Sequence, residues 1–148
     1  MPDSSNWKSG DGVIEVRFDR RCGVSAVWVR RVIFGTLRAE KKQADIDVLV
    51  TGDPGIRAIN KRFLKHDYAT DVIAFGLSHR GNPRLTGSLV ISADFAKRYS
   101  CKHGIPFREE LARYLVHGTL HLLGYNDRKK KDYEGMHRRQ EALLKEIL

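Results

Sequence analysis

Cysteine is scarce in this chain of 148 residues, which contains only Cys22 and Cys101. The two lie far apart in the sequence, and neither belongs to a closely spaced pair of cysteines. This usage excludes a scaffold held together by disulfides. It indicates reduced thiols in a cytosolic protein.

Long apolar runs are also missing, because no stretch approaches the roughly 18 consecutive apolar residues of a membrane span. The N-terminal residues MPDSSNWKSGDG are polar and lack the apolar centre of a signal peptide. We therefore expect a soluble, cytoplasmic protein that does not associate with membranes. The sequence shows no linker, internal repeat or low-complexity segment, so we expect one domain over 1–148, with 1–11 flexible.

Acidic residues are too few to balance the basic ones, since 18 Asp and Glu face 27 Lys and Arg for a formal charge of +9. A charge of this size favours a polyanionic partner such as nucleic acid, or an anionic membrane surface. Charge describes partners and not fold, so a soluble protein with a basic surface remains an alternative at this point.

Hydrophobic periodicity and turn residues predict four strands and five helices. The strands are predicted at 13–18, 44–52, 70–77 and 86–92, and the helices at 24–42, 54–64, 93 onward, 106–124 and 132–148. This order predicts a single α+β domain in which helices cover a small mixed sheet of about four strands.

Several details of these elements are also predicted. Asp53 is the expected N-cap of the second helix, and the fourth is expected to end at Gly124, a typical C′ residue. The strand at 70–77 is expected to be well buried, and 81–84 to form a turn. Two sets of apolar residues are expected to line helix faces: Ile56, Ile59 and Phe63 in the second helix, and the loosely periodic Met136, Leu143, Leu144 and Ile147 in the last.

The stretch HGTLHLLGYND, residues 117–127, carries the clearest chemical signal. His117 and His121 are four residues apart on a predicted helix, so both imidazoles can point at one ion. Gly124 allows the chain to leave the helix, and Asp127 follows at the spacing of the third ligand in H-E-x-x-H-x-x-G-x-x-H metalloproteases. Two imidazoles and one carboxylate form a zinc shell that activates water.

Two considerations qualify this metal site. Two histidines on an apolar helix can instead be hydrogen-bonded core residues. Gly118 occupies the position of the general-base Glu of the metalloproteases, which makes peptide hydrolysis a poor hypothesis.

The same stretch closely resembles the YbeY family of bacterial metal-dependent endoribonucleases, whose signature is H-G-x-L-H-L-x-G-Y-D-H. INKRF, TDVIAF and GSLVIS extend the resemblance over most of the chain. The resemblance implies a metalloprotease-like zinc site that acts on single-stranded RNA. It also implies maturation of ribosomal RNA, including the 3′ end of the small-subunit RNA, with ribosomal RNA and the ribosome as partners. The family's three metal ligands fall on His117, His121 and Asp127.

The sequence departs from the family pattern at four positions. Asp127 replaces the family's third His and Asn126 the Asp before it, while Ser88 replaces the Asp of its G-D-I motif. Leu64 replaces an Arg that is expected to contact phosphate or take part in catalysis. The adjacent Lys65 cannot reproduce the guanidinium fork of that Arg.

These observations lead to the hypothesis of a zinc-dependent endoribonuclease of ribosomal RNA. The general base is not identified, and the candidates beside the metal are His66, Asp71 and Ser88. Basic residues are expected to contact phosphates: Lys61, Arg62, Lys65, Arg128, Lys129 and Lys130. The alternatives are a ribosome-associated RNA-binding factor with a structural zinc and a zinc hydrolase of another substrate.

Overall fold

The computed structural model describes residues 12–76 and 84–148, and its element order follows the predicted one. The strands are β1 (Ile14–Phe18), β2 (Ala44–Thr51), β3 (Val72–Gly76) and β4 (Leu85–Ser92). The helices are α1 (Ala26–Ala39), α2 (Asp53–Ile59), α3 (Ala93–His103), α4 (Phe107–Leu122) and α5 (Lys130–Ile147), and a π-helical segment, Asn60–Leu64, continues α2. The predicted α+β class is confirmed. The segment 1–11 and all of the predicted turn except Arg84 lie outside the described residues.

The four strands form one mixed sheet in the order β1-β2-β4-β3. Strand β2 is parallel to both of its neighbours, β1 and β4, whereas β3 runs antiparallel to β4. Successive side chains of a strand point to opposite faces of the sheet. The buried residues Ile46, Val48 and Val50 of β2 therefore share one face, and Leu49 belongs to the other.

The two faces of the sheet carry clusters of buried apolar side chains that differ in size. The larger core joins one face of the sheet to α1, α3, α4 and α5. A smaller cluster on the opposite face is built on Ile56 of α2, Ile73 of β3 and Val90 of β4. Helix α4 lies within the larger core and contacts β3 and β4, and this places its last turns beside the edge of the sheet.

The prediction that the third strand is well buried is wrong. The strand β3 lies at the edge of the sheet, and Ile73 is its one buried residue. An apolar run cannot by itself distinguish a central strand from an edge strand covered on one side.

The prediction that Asp53 is an N-cap is also wrong, because Gly52 occupies the cap position and Asp53 begins α2. The Asp53 N–H is instead satisfied by the carboxylate of Asp94, at 2.9 Å, from the first turn of α3. The Asp53 carboxylate accepts from the hydroxyl of Ser92 and pairs with Arg98. A tertiary contact therefore replaces the local cap.

The apolar face predicted for the second helix is broken by the π-helical segment. Ile56 is fully buried and Ile59 half-buried, but Phe63 is 59% exposed. Residues in a π-helix advance by a smaller angle than in an α-helix, so Phe63 rotates away from the face that carries Ile56. Single π turns are frequent at functional sites.

Candidate metal centre

Helix α4 and the loop after it bring together the three predicted ligands. The Nε2 atoms of His117 and His121 are 3.1 Å apart, and the Nε2 of His121 lies 3.5 Å from an oxygen of Asp127. One ligand atom from each residue lies within 4.8 Å of the other two. The spacing predicted from the sequence therefore produces a compact set of three donors.

The turn at Gly124 explains how Asp127 reaches the helix. Gly124 adopts a φ of 104°, which disfavours a side chain. Its N–H donates to the carbonyl of His121 at 3.0 Å, and the Tyr125 N–H donates to the carbonyl of Leu120 at 3.0 Å. These two bonds form a Schellman motif that ends α4 and reverses the chain.

The hydrogen bonds of the two imidazoles test whether the site fits a metal ion. Nδ1 of His117 lies 2.7 Å from Oε1 of Gln140, and Nδ1 of His121 lies 3.1 Å from the Tyr125 carbonyl. Both partners can only accept, so in the neutral form of each imidazole Nδ1 carries the proton and Nε2 presents a lone pair. Two lone pairs that face each other beside a carboxylate are unfavourable without a cation between them.

Two of the three donor separations also fit a tetrahedral metal. Ligands about 2.0–2.1 Å from zinc at tetrahedral angles are separated by roughly 3.3 Å. The observed separations of 3.1 and 3.5 Å bracket that value. Burial is the main cause that lowers the pKa of His117 below its usual value, and it favours the neutral form that binds metal. The three residues therefore fit one divalent ion with a position left open.

Gln140 supports His117 and was missed in the sequence analysis. Its Nε2 donates to Glu141 at 3.1 Å, which fixes the amide so that Oε1 faces the imidazole. Both oxygens of Glu141 are held by Arg113 at 2.9 Å, and Arg113 also pairs with the buried Glu110 at 2.6 Å. A signal for Gln140 was present, because it fills the gap in the apolar pattern of α5 between Met136 and Leu143.

A second polar network supports the carbonyl that orients His121. The hydroxyl of Tyr125 donates to Glu40 at 2.5 Å, and Glu40 pairs with Arg139 at 3.0 Å. Glu40 follows α1, whereas Arg139 precedes Gln140 on α5. Helix α5 therefore contributes to the support of both histidines.

Gly118 allows α4 to pack closely against the sheet. A Cβ atom at this position would lie 2.7 Å from Cδ2 of Leu89 and 3.0 Å from Cγ2 of Val72. A glutamate at this position, as in H-E-x-x-H proteases, would collide with β3 and β4. The structure therefore gives a packing reason for the absence of that general base.

The three donors lie at an open cleft of about 490 Å³. His66, Asp71 and Leu64 also line this cleft, but Ser88 does not. Ser88 alternates with Gly87 and Leu89, which face α4, so it belongs to the opposite face of the sheet. The Asp71 carboxylate accepts from the Val72 N–H at 2.7 Å and the Thr70 hydroxyl at 3.2 Å.

None of the predicted phosphate-contacting residues lines the cleft. Among the described residues that line it there is no Lys or Arg. Lys65 and Arg128 each directly follow a lining residue, Leu64 and Asp127 respectively, and both are exposed. Lys61 lies 3.9 Å from Asp67 and Lys130 lies 3.9 Å from Glu134, and both remain largely exposed, as do Arg62 and Lys129.

The fold and the site together define an α+β protein with a candidate centre for one divalent metal. A family model described as endoribonuclease YbeY matches residues 24–148. A Chlorobaculum parvum protein named endoribonuclease YbeY is 38% identical over 106 residues, which are 72% of this chain and 74% of that protein. A Geobacter sulfurreducens protein of the same name is 39% identical over 108 residues, 70% of this chain and 71% of that protein. The chain belongs to the YbeY family.

A solved structure supports the fold independently. The solution structure of a Thermotoga maritima protein superposes with a TM-score of 0.67 at 20% identity, covering 91% of this chain and 89% of that one. At this identity the likeness concerns the fold alone. In the described part of the chain, no helix has the length and apolar character needed to cross a membrane.

Proposed function

We propose that this chain is a metal-dependent endoribonuclease that cuts single-stranded RNA in the maturation of ribosomal RNA. The observation that carries the proposal is the convergence of His117, His121 and Asp127 at an open cleft. Membership of a family described as endoribonucleases supports RNA as the substrate. The formal charge of +9 supports a polyanionic substrate.

The proposed metal is zinc, held by Nε2 of His117, Nε2 of His121 and a carboxylate oxygen of Asp127. When bound, such an ion polarises a phosphate oxygen or lowers the pKa of a bound water. Gln140 and the Tyr125 carbonyl keep the two imidazoles in the tautomer that binds metal. Of the candidate bases, His66 and Asp71 line the cleft, and Asp71 is favoured because its charge also acts on His117.

The proposed partners are ribosomal RNA and the ribosome, and the proposed location is the cytoplasm, where both occur. The basic residues around the cleft, from Lys61 to Lys65 and from Arg128 to Lys130, would hold the RNA backbone. In this proposal the phosphates on either side of the cleaved bond would contact these basic residues, while the metal would act on the phosphate at the bond that is cut.

The test is the cleavage of a labelled single-stranded RNA by the purified chain. We expect cleavage that stops with a chelator, returns with added zinc, and falls at least 100-fold in His121→Ala. A fully paired RNA of the same sequence should be cut much more slowly. His103→Ala is a matched control, because His103 is exposed at the end of α3 and outside the cleft. Metal-independent cleavage would contradict the proposal.

One observation favours a second candidate function, an RNA-binding factor whose metal is structural. Leu64 lines the cleft at the position where an Arg is expected in the family, and no described Lys or Arg side chain replaces it there. Tight RNA binding without any cleavage, together with loss of the fold on chelation, would favour this candidate.

A further inference from the structure

The segment 60–68 exposes large apolar side chains at the border of the cleft. Phe63 is 59% exposed, Leu64 44% and Tyr68 55%. Leu64, His66 and Tyr68 line the cleft that contains the three metal donors. Exposed apolar groups that are grouped beside a site of charged and polar donors indicate a contact surface for a ligand.

One buried residue, Asn60, both donates and accepts hydrogen bonds that hold this segment in place. Asn60 is 2% exposed, and its side-chain amide donates to the Tyr68 carbonyl at 3.0 Å. The Asn60 carbonyl accepts from the backbone N–H groups of Lys65 and of His66, the latter at 3.2 Å. Arg57 also pairs with Asp67 at 2.7 Å. The aromatic rings are therefore carried by a fixed backbone.

The rings of His66 and Tyr68 lie next to each other at the cleft. Their centroids are 5.4 Å apart, and their planes are tilted by 34°. An exposed aromatic ring offers a π-face on which a nucleobase can stack, and this contact contributes about 1–3 kcal/mol per base. Stacking requires a base that is free of its own strand partners, as in single-stranded RNA.

The charge of the segment fits the same ligand. Lys61, Arg62 and Lys65 lie among the aromatic residues, and the Arg62 guanidinium is 5.2 Å from the ring centroid of Phe63. Alternating cations and aromatic rings are typical of surfaces that bind the backbone and the bases of a single strand together. A peptide substrate would not require this density of positive charge.

We propose that Tyr68, with His66 beside it, forms a stacking platform for one unpaired nucleobase next to the metal centre. The platform deepens the proposed function and rests on it, because it assumes that RNA enters this cleft. It explains a preference for single strands, since bases inside a duplex cannot reach the Tyr68 ring. The ligand class is an unpaired nucleotide within a single-stranded RNA.

The test compares the binding of two strands of equal length to the metal-loaded full chain by fluorescence anisotropy. One strand is 2′-O-methyl oligouridylate, the other carries the same backbone without bases, and strand integrity is checked on a gel. We expect the wild type to bind the strand with bases about 5- to 100-fold more tightly. Tyr68→Ala should lose this preference, and Tyr68→Phe, which keeps the ring, should retain it.

Tyr99→Ala is the matched control. Tyr99 on α3 is 39% exposed and pairs with His103 at a centroid distance of 4.1 Å, but it does not line the cleft. It should behave as the wild type. Equal losses in Tyr68→Ala and Tyr99→Ala would overturn the platform, as would equal wild-type affinity for the two strands.

The outcomes separate this proposal from the proposed function. If binding depends on the bases and on Tyr68 but no RNA is cleaved, the proposed platform is supported and the proposed endoribonuclease function is rejected. Metal-dependent cleavage that is unaffected by Tyr68→Ala in both KM and binding would reject the platform alone. No binding of either strand by the wild type would overturn the platform and leave the proposed function to the cleavage test.

Discussion

Nδ1 of His117 donates to Oε1 of Gln140 over 2.7 Å, and this bond connects the metal centre on α4 to helix α5. It fixes the tautomer of His117 and directs its Nε2 toward His121 and Asp127. Because Gln140 is in turn held by Glu141 and Arg113, the orientation of a ligand depends on the packing of two helices. The candidate metal centre therefore depends on residues beyond its three proposed ligands.

Replacing Gln140 should weaken metal binding. Gln140→Leu removes the acceptor and leaves the imidazole free to turn or change tautomer, so we expect a 10- to 100-fold loss of zinc affinity. Competition with a chromophoric chelator measures this loss, and circular dichroism checks that the fold is retained. Gln43→Leu, at an exposed position before β2, is the control. Unchanged zinc affinity in Gln140→Leu would show that the bond does not orient the ligand.

Asp127 should be required for metal binding but replaceable by histidine. Asp127→Ala leaves two ligands, and we expect it to lose most of its zinc, as should His117→Ala and His121→Ala. Asp127→His restores the family's ligand type and should keep about one metal per chain. Metal content and the absorption spectrum of the cobalt-substituted protein measure both effects. Asn126→Ala, which changes the neighbouring exposed residue, should keep its metal. Full metal content in Asp127→Ala would contradict this assignment.

The grouping of the three candidate ligands could be predicted from the sequence because its geometry is local. The positions of His117, His121, Gly124 and Asp127 are fixed by the pitch of one helix and one turn. Gln140 could not be placed in the same way, because its contact with His117 depends on how α5 packs against α4. The prediction of Asp53 as the N-cap of α2 was wrong because that helix start also depends on a tertiary contact. The Asp53 N–H donates to Asp94 from another helix.

In the sheet, too, the local elements could be predicted from the sequence, whereas the tertiary arrangement could not. Alternation predicted β1 and β2, and short runs bounded by turn residues predicted β3 and β4. The edge position of β3 depends on strand pairing, which such patterns do not contain. The π-helical segment was also missed, because Ile56, Ile59 and Phe63 fit an ordinary helical face in the sequence. The exposed position of Phe63 follows from this irregular turn.

Gly118 should not tolerate the glutamate of a metalloprotease. A side chain at this position meets Leu89 and Val72, so Gly118→Glu should lower the free energy of unfolding by at least about 1–3 kcal/mol. Urea denaturation measures the change, and we expect no peptide hydrolysis. Gly135→Glu on α5 is the control, because the nearest atom to an added Cβ there is Nη2 of Arg138 at 3.9 Å. Equal stability of the two variants would contradict the packing argument.

The pairing of Glu141 with Arg113 should make the fold sensitive to acid. The hydrogen bond from Arg113 holds the pKa of Glu141 below its ordinary value of 4.5. A carboxyl group with a lowered folded-state pKa stabilises the fold above its unfolded pKa, and this contribution is lost as the pH falls through the folded pKa. We therefore expect the melting temperature to decrease as the pH is lowered below about 4.5. The decrease should be smaller in Glu141→Gln. Glu146→Gln, exposed near the end of α5, should decline like the wild type.

Salt should weaken RNA binding through the basic residues beside the cleft. Each phosphate contact to a single strand contributes about 0.7 to the slope of log affinity against log salt. Lys65→Gln and Arg128→Gln should each reduce the slope by about that amount, because each residue directly follows a residue of the cleft. Lys102→Gln on α3 changes the net charge equally but lies outside the cleft lining, so its slope should match the wild type. Equal slopes in all three variants would mean that RNA is held by the overall charge of the protein and not by this border.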